Sequence, residues 1–441
     1  MSKIVLYFPW TGYVQNQNSE HRVPYSLLTL VGPLKNAGYD VVLIDGRVDD
    51  KKRLFEEAKD ALFVGITSMT GIQLVDASKT ARNLKKMYPK LPIVWGGWHV
   101  TILPEQSIRE PFIDHIVVGQ GERQVVEIAK SIENGQSGKI TLVRDLEPFY
   151  PDIDFTSVDL NKYKPYFGYL SSHGCPFNCT FCAIAKVYNR KFFVRPMDDV
   201  ISDLKYVFDT YKCFTHLNID DDNFFIKKSR VEEFCDRWNN YANVPISSLA
   251  HVRALLSPLY DAPMWTKMVS AGIRILLIGA ESGNQKVLDR LKKHQTPEQM
   301  LRFVKKTAEY GIQPDLSCLT GFPDSDALGD FKDTILFLRD AGRINPSMKF
   351  KIFFIRPYPG TELYEDFVRQ GIKMPQSMQE WSHYTLREKP DWVSQDLYDQ
   401  VQFFIYQWVP QAGWNWEWEN FIDIFKKVKE EGKLVKETVL I

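Results

Sequence analysis

Short apolar runs of strand length alternate with helix-length amphipathic segments along most of the chain. That alternation constrains its fold more than any other feature. In the first third the apolar runs fall at residues 4–8, 41–44, 62–66, 93–95 and 113–118. Helical periodicity occupies 25–37 (stopped by Gly38), 51–59, 75–87 and 125–132. Strands that are apolar on both sides need cover on both faces, so this pattern predicts an α/β fold built on a doubly wound parallel sheet. Such sheets bind ligands beyond the carboxyl ends of their strands. Those ends read Pro9-Trp10-Thr11-Gly12, Thr67-Ser68-Met69-Thr70, Gly96-Gly97-Trp98-His99 and Gly119-Gln120-Gly121-Glu122. Glycine recurs at three of the four, where backbone must come close to something.

Residues 146–165 carry several prolines and acids with little periodicity and read as a linker. From residue 166 the alternation restarts, with strands expected at 168–172, 215–219, 246–250, 273–279, 313–320 and 349–355. Helices fill the gaps, for example at 198–211 and 297–310. Six strand–helix units predict a partial (β/α)6 barrel, whose chemistry sits at the carboxyl ends of its strands. From residue 374 the character changes. Six of the 11 tryptophans lie between Trp381 and Trp418, and 421–433 reads as a Lys-rich amphipathic helix. The expected organisation is therefore 1–145, a linker at 146–165, a barrel at 166–373 and a small, mostly helical Trp-rich region at 374–441.

Lys and Arg number 55, as do Asp and Glu, so the chain lacks the basic surplus that would hold nucleic acid or an anionic membrane. No apolar run reaches the roughly 18 residues of a membrane span. The first nine residues read as a strand rather than as a signal peptide, which makes cytoplasm the expected compartment. Six cysteines are too sparse for a disulfide scaffold in a chain of this length. Three of them, Cys175, Cys179 and Cys182, crowd into Gly174-Cys175-Pro176-Phe177-Asn178-Cys179-Thr180-Phe181-Cys182. Thiolates suit zinc or iron–sulfur clusters. Structural zinc usually takes four ligands, and no obvious fourth lies nearby, since Cys213, Cys235 and Cys318 are scattered. Three thiolates on one loop leave one iron of a 4Fe–4S cluster open.

The spacing C-x3-C-x2-C, directly after the first strand of a six-unit barrel, resembles the radical S-adenosylmethionine (SAM) superfamily. The resemblance implies that the open iron chelates SAM and that an electron from the cluster splits it to a 5′-deoxyadenosyl radical. It also implies SAM contacts from Phe181, from Asp221 and Asp222 in the Asp220-Asp221-Asp222 run after the second strand, and from Arg253 past the third. Glu281 and Ser282 of Gly279-Ala280-Glu281-Ser282-Gly283 complete the set after the fourth. Many relatives carry Gly-Gly-Glu where this chain has its three Asp, which leaves open which carboxylate acts.

The amino-terminal segment resembles the cobalamin-binding domain that precedes the barrel in one large branch of the superfamily. The matching elements are Arg22-Val23-Pro24-Tyr25-Ser26-Leu27-Leu28, Gly38-Tyr39, Ile44-Asp45, Ser68-Met69-Thr70, Gly96-Gly97-Trp98-His99-Val100-Thr101 and Gly119-Gln120-Gly121-Glu122. The resemblance implies cobalamin contacts from Thr67, Ser68, Thr70, Gly96, Gly97, His99, Gly119 and Glu122. No Asp-x-His-x-x-Gly occurs there, so the cobalt should lack a histidine from that motif, and His99 reads as a polar contact.

The expected function is a cobalamin-dependent radical SAM enzyme, foremost a methyltransferase that moves a methyl group from methylcobalamin to an unactivated carbon. A cobalamin-dependent cyclase or ring-rearranging enzyme is the alternative, as in the anaerobic cyclase of bacteriochlorophyll synthesis. A non-catalytic cobalamin or iron–sulfur sensor is the reading from another class. Expected partners are a small-molecule substrate, met by Trp381, Tyr384 or Trp392, and a reductant such as flavodoxin or ferredoxin.

Overall fold

The computed structural model describes residues 1–12, 21–136, 138–143, 150–241, 243–323, 326–384 and 389–434. They group into two compact units. One holds Met1–His173, Lys186–Thr215 and Lys373–Thr385; the other holds Gly174–Ala185, His216–Ile372 and Leu386–Ile441.

In the first unit β1 (Lys3–Phe8), β2 (Asp40–Asp45), β3 (Ala61–Thr67), β4 (Ile93–Gly96), β5 (His115–Val118) and β6 (Ile140–Val143) form one parallel sheet in the order β2-β1-β3-β4-β5-β6. The helices Tyr25–Asn36, Lys51–Ala58, Gln73–Met87 and Gln124–Glu133 cover it, close to the expected bounds. Side chains on both faces of β1 and β3 are buried, among them Ile4, Val5, Leu6, Phe63 and Val64, which is why these strands read as continuous apolar runs. The sixth strand was not expected, because Ile140-Thr141-Leu142-Val143 is short and alternates weakly.

The expected strand at 168–172 is corrected to β7, Tyr166–Tyr169. Phe167 anchors it, packing within 5.2–6.1 Å of Phe155, Phe208 and Phe214. The following β8 (Ser172–His173) instead pairs antiparallel with β9 (Phe193–Val194). In the expected linker, 146–149 lie outside the described residues; beyond them, short helical turns at Phe155–Ser157 and Leu160–Tyr163 are capped by Asp154 and Asp159.

The second unit carries β10 (His216–Ile219), β11 (Ile246–Ala250), β12 (Ile273–Glu281), β13 (Gln313–Thr320) and β14 (Lys349–Phe354), parallel and adjacent in chain order. β12 runs two residues past its expected end, and its register against β13 shifts between Gly279 and Glu281. The helix Pro297–Glu309 starts on a full capping box, with Thr296 and Gln299 satisfying each other's backbone N–H groups.

Near the carboxyl end Phe403, Phe404, Trp408, Trp416, Phe421 and Phe425 build one aromatic cluster, and the last described helix is Trp418–Glu430. Trp414 rests directly on Gly342 of the helix Ala327–Ile344; a Cβ there meets the indole at 2.1 Å. Gly342→Ala is expected to lower stability by about 1–3 kcal/mol despite its better helix propensity, because the ring must move. A reduced unfolding midpoint in denaturant checks this. No helix among the described residues is long and apolar enough to cross a membrane.

Candidate functional site

The three cysteines lie in Gly174–Ala185, within the second unit, free and partly buried. Their loop is fixed at both ends. The Gly174 N–H, just before Cys175, donates to Asp222 Oδ2 at 2.7 Å. Thr180, between the second and third cysteines, makes three bonds. Its N–H donates to Leu291 O at 3.1 Å, its Oγ1 to Arg290 O at 3.1 Å, and its carbonyl accepts from Leu363 N–H at 2.9 Å. Burial pushes the thiols up, Cys175 to about 11 and Cys182 to about 12, and raises Cys179 as well. Incoming iron must therefore displace their protons, as it does at any thiolate site. Three free thiols on one braced loop have the donor chemistry that suits a cluster with one open iron.

The strand ends beside this loop supply the rest. Asp222 follows β10; burial pushes its carboxyl up to about 6, although the Gly174 N–H favours its ionised form. Asp221 is buried next to it. After β11, His251 is buried, held down at about 3 by burial and by the neighbouring cations Lys293 and Arg253, and its ring lies 4.5 Å from that of Phe177. Arg253 is exposed, with its guanidinium 5.9 Å from the Phe177 ring.

At the end of β12, Glu281 has φ +64 and pairs with Lys293 at 2.9 Å. Burial would lower the Lys293 ammonium, but the Glu281 carboxylate and the sulfurs of Cys179 and Cys182 hold it above its ordinary value. Ser282 is committed to the fold: its Oγ lies 3.1 Å from Thr334 Oγ1 and accepts from Asn284 N–H at 3.0 Å. Phe181 lies under Lys293, 6.0 Å from its Nζ. Cys318 is fully buried in β13.

Asp222 can therefore act through the loop as well as on a ligand, and two variants separate these roles. Asp222→Asn keeps an acceptor for Gly174 N–H and is expected to retain iron. Asp222→Ala is expected to lose at least half of its iron on gel filtration, measured as iron per chain.

In the first unit, loops after β1, β3, β4 and β5 line up along the carboxyl edge of the sheet, because those strands are neighbours. Ser68 N–H and Oγ both donate to Gly96 O, at 2.9 and 2.8 Å, and His99 N–H donates to Ser68 O at 3.1 Å. Thr101 Oγ1 donates to Gly97 O and accepts from Gly119 N–H. His99 lies in a short helix, Trp98–Ile102, rather than an open loop, and is fully buried. Its Nδ1 lies 3.0 Å from Thr70 Oγ1, while its Nε2 is buried with no hydrogen-bond partner. Burial holds the ring down at about 4, so it is neutral at pH 7. Thr67 and Glu122 are buried at the same edge. Trp10, Met69 and Ile72 leave large apolar surfaces exposed there. An apolar rim over close-packed polar loops, with the Nε2 of His99 left unsatisfied, fits a large flat cofactor with polar side arms.

Residues 22–129 match the family model described as B12 binding domain, and residues 169–338 match the Radical SAM superfamily. The chain is a cobalamin-binding radical SAM protein. All three cysteines and every expected SAM contact fall inside the second match, and every expected cobalamin contact inside the first. An uncharacterized methyltransferase of Pyrococcus horikoshii is 29% identical over 79% of this chain and 78% of its own length. An anaerobic magnesium-protoporphyrin IX monomethyl ester cyclase of Synechocystis is 26% identical over 85% and 79%. The fold is similar to that of the radical SAM methyltransferase TsrM from Kitasatospora setae, solved with tryptophan substrate and a SAM analogue. The TM-score is 0.67 at 16% identity, over 84% of this chain and 76% of that one.

This radical SAM protein divides its three expected substrate contacts between the two units. Trp381 and Tyr384 are buried in the first unit, 4.9 Å apart, and the Trp381 carbonyl accepts from Gly71 N–H at 3.2 Å, in the loop after β3. Trp392 is in the second unit, where its Nε1 donates to Gly321 O at 2.9 Å, just beyond β13. Sequence reasoning missed Thr180, His251, Lys293 and Gln295.

Proposed function

We propose that this protein is a cobalamin-dependent radical SAM methyltransferase acting on a poorly activated carbon of a small molecule. The observation that carries the reading is the braced three-cysteine loop beside the acidic ends of β10 and β12, in a chain that also has a B12-binding domain. Residues 1–145 would hold cobalamin, 166–373 the cluster and SAM, and 374–441 would contribute substrate contacts, with 146–165 as linker. The cofactors, when bound, supply hydrogen-atom abstraction from carbon and a transferable methyl group.

This chain's own residues do the holding and shielding. Cys175, Cys179 and Cys182 are the three cluster ligands. Asp221, Arg253 and the β12 end around Glu281 would give SAM's amino, carboxylate and ribose groups polar partners. Phe181 and Phe177 would wall the loop with apolar surface. Thr67, Ser68, Thr70, Gly96, Gly97, His99, Gly119 and Glu122 would form the cobalamin contacts, and His99 offers Nε2 as a neutral hydrogen-bonding group rather than a charged one. An external reductant such as flavodoxin or ferredoxin supplies the electron, which suits a cytoplasmic setting.

The cyclase reading is kept because a cyclase is among the relatives of comparable similarity. The two part on one measurement. Anaerobically reconstituted protein given reductant, cobalamin and methyl-labelled SAM is expected to put the label on a carbon of its product. A product that is oxidised or ring-closed without label would favour the cyclase. SAM binding with no 5′-deoxyadenosine under any condition would favour a sensor.

A further inference from the structure

We propose that Lys293 tunes the reduction potential of the iron–sulfur cluster: its buried ammonium, clamped by Glu281 over Gly279, is a fixed positive charge beside the cysteine loop. The inference rests on the cluster reading above and deepens it.

The clamp is built at some cost in backbone conformation. Glu281, Lys292 and His294 have φ of +64, +52 and +50, a region that L side chains avoid and that clusters at functional sites. The two left-handed residues flanking Lys293 help set the direction of its side chain. Lys292 turns out to pair with Glu362 at 2.7 Å and His294 is exposed, while Lys293 between them is buried. Glu281 folds back over its own strand to meet it. A Cβ at Gly279 would lie 2.3 Å from Glu281 Oε1 and 2.9 Å from Lys293 Nζ, so only glycine leaves room for the pair. Gln295 ties the same segment down, its Nε2 donating to the carbonyls of Gly279 at 3.2 Å and Ala280 at 3.3 Å.

The segment that carries Lys293 also braces the cysteines. Thr180 bonds to Arg290 and Leu291, three and two residues before it, and Phe181 lies beneath the ammonium. Lys293 acts electrostatically on Cys175, Cys179 and Cys182; Glu281 acts on Cys179 and on Cys318. Other charged or titratable groups around the loop include Asp222 at Gly174 with Asp221 beside it, Arg290, which pairs with Asp366, and Arg253 and His251 against Phe177. Arg253 is exposed and therefore screened, which leaves Lys293 as the buried cation of this set.

Reduction adds one electron from the external donor to the cluster and moves no proton. The added negative charge sits in a poorly screened site, where a nearby fixed cation stabilises the reduced form. A buried lysine serving structure alone would leave the potential unchanged once the cluster is in place.

The test uses the full chain, reconstituted anaerobically without SAM. It reads iron and sulfide per chain, and the midpoint potential from a dithionite titration followed by electron paramagnetic resonance. Lys293→Met is expected to make reduction at least tenfold less favourable, about 59 mV for one electron. Lys293→Arg should stay within threefold of wild type. The double variant Glu281→Gln, Lys293→Met leaves no unpaired buried charge and is expected to keep its iron, with a potential between those of wild type and Lys293→Met. Wild-type potential in Lys293→Met or in the double variant, with iron intact, overturns the proposal. Loss of iron from all three variants makes Lys293 a structural anchor and overturns it too. Failure of the wild-type chain to take up iron and sulfide counts instead against the cluster reading.

Discussion

Replacing Cys175, Cys179 and Cys182 together by alanine is expected to take iron and sulfide from about four each per chain to background. It should also abolish the reductive cleavage of SAM. Among the described residues no substitute ligand set stands ready. Cys318 is fully buried in β13, Cys235 is buried in the helix Lys228–Trp238, and Cys213 belongs to the other unit, where its Sγ lies 3.6 Å from Asn161 Oδ1. The loop's backbone bonds to Asp222, Leu291 and Leu363 do not involve the thiols, so the variant should remain folded. Replacing Cys213 or Cys235 is expected to leave the iron content unchanged. Iron analysis and chromatographic detection of 5′-deoxyadenosine check both statements. SAM cleavage at wild-type rate by the triple variant would end the radical reading, and iron loss in the Cys213 or Cys235 variant would mean that the ligands are misassigned.

The parts of this molecule that could be read in advance are those where one local pattern has one physical cause. Strands buried on both faces, such as β1 and β3, are continuous apolar runs, and their positions follow from the sequence within a residue or two. The cysteine loop is equally plain, because ligand chemistry demands thiols at short spacing. The shift of β7 to Tyr166–Tyr169 was not legible. Gly168-Tyr169-Leu170-Ser171-Ser172 has strand character, and it is the packing of Phe167 against rings from distant segments that decides where the strand lies. Lys293 was hidden for a different reason. It stands in Leu291-Lys292-Lys293-His294-Gln295, a polar run that reads as a solvated surface turn. Only the left-handed backbone at Lys292 and His294 makes its neighbours point outward and Lys293 inward. The pairing with Glu281 could have been suspected from the glycine at 279, near the end of an apolar strand, where glycine marks a close approach.

Gly97→Ala is expected to cost at least tenfold in cobalamin affinity, and clearly more than Gly96→Ala at the contact next to it. The two glycines differ in what surrounds them. Gly97 has φ +92 and ψ −171, a conformation essentially reserved for glycine. A Cβ there would lie 2.6 Å from Ser68 O, 2.7 Å from Ser68 N and 2.8 Å from Thr67 Oγ1. Two of those atoms are backbone at the end of a central strand and cannot yield cheaply. The loop after β4 must then part from the loop after β3, breaking the bonds from His99 N–H to Ser68 O and from Ser68 N–H to Gly96 O. The short helix that carries His99 starts at the next residue, so its unpartnered Nε2 moves with the loop. At Gly96 the nearest atom to an added Cβ is Val117 O at 3.8 Å, an ordinary contact. Titration of each variant with cobalamin, followed by its visible spectrum, reads the difference, and iron per chain serves as the control that the second unit is intact. Equal affinity for both variants would place cobalamin away from the β3 and β4 loops. A nitrogen ligand to cobalt supplied by His99 would show the imidazole to be an axial ligand, not the polar contact its burial beside Thr70 supports.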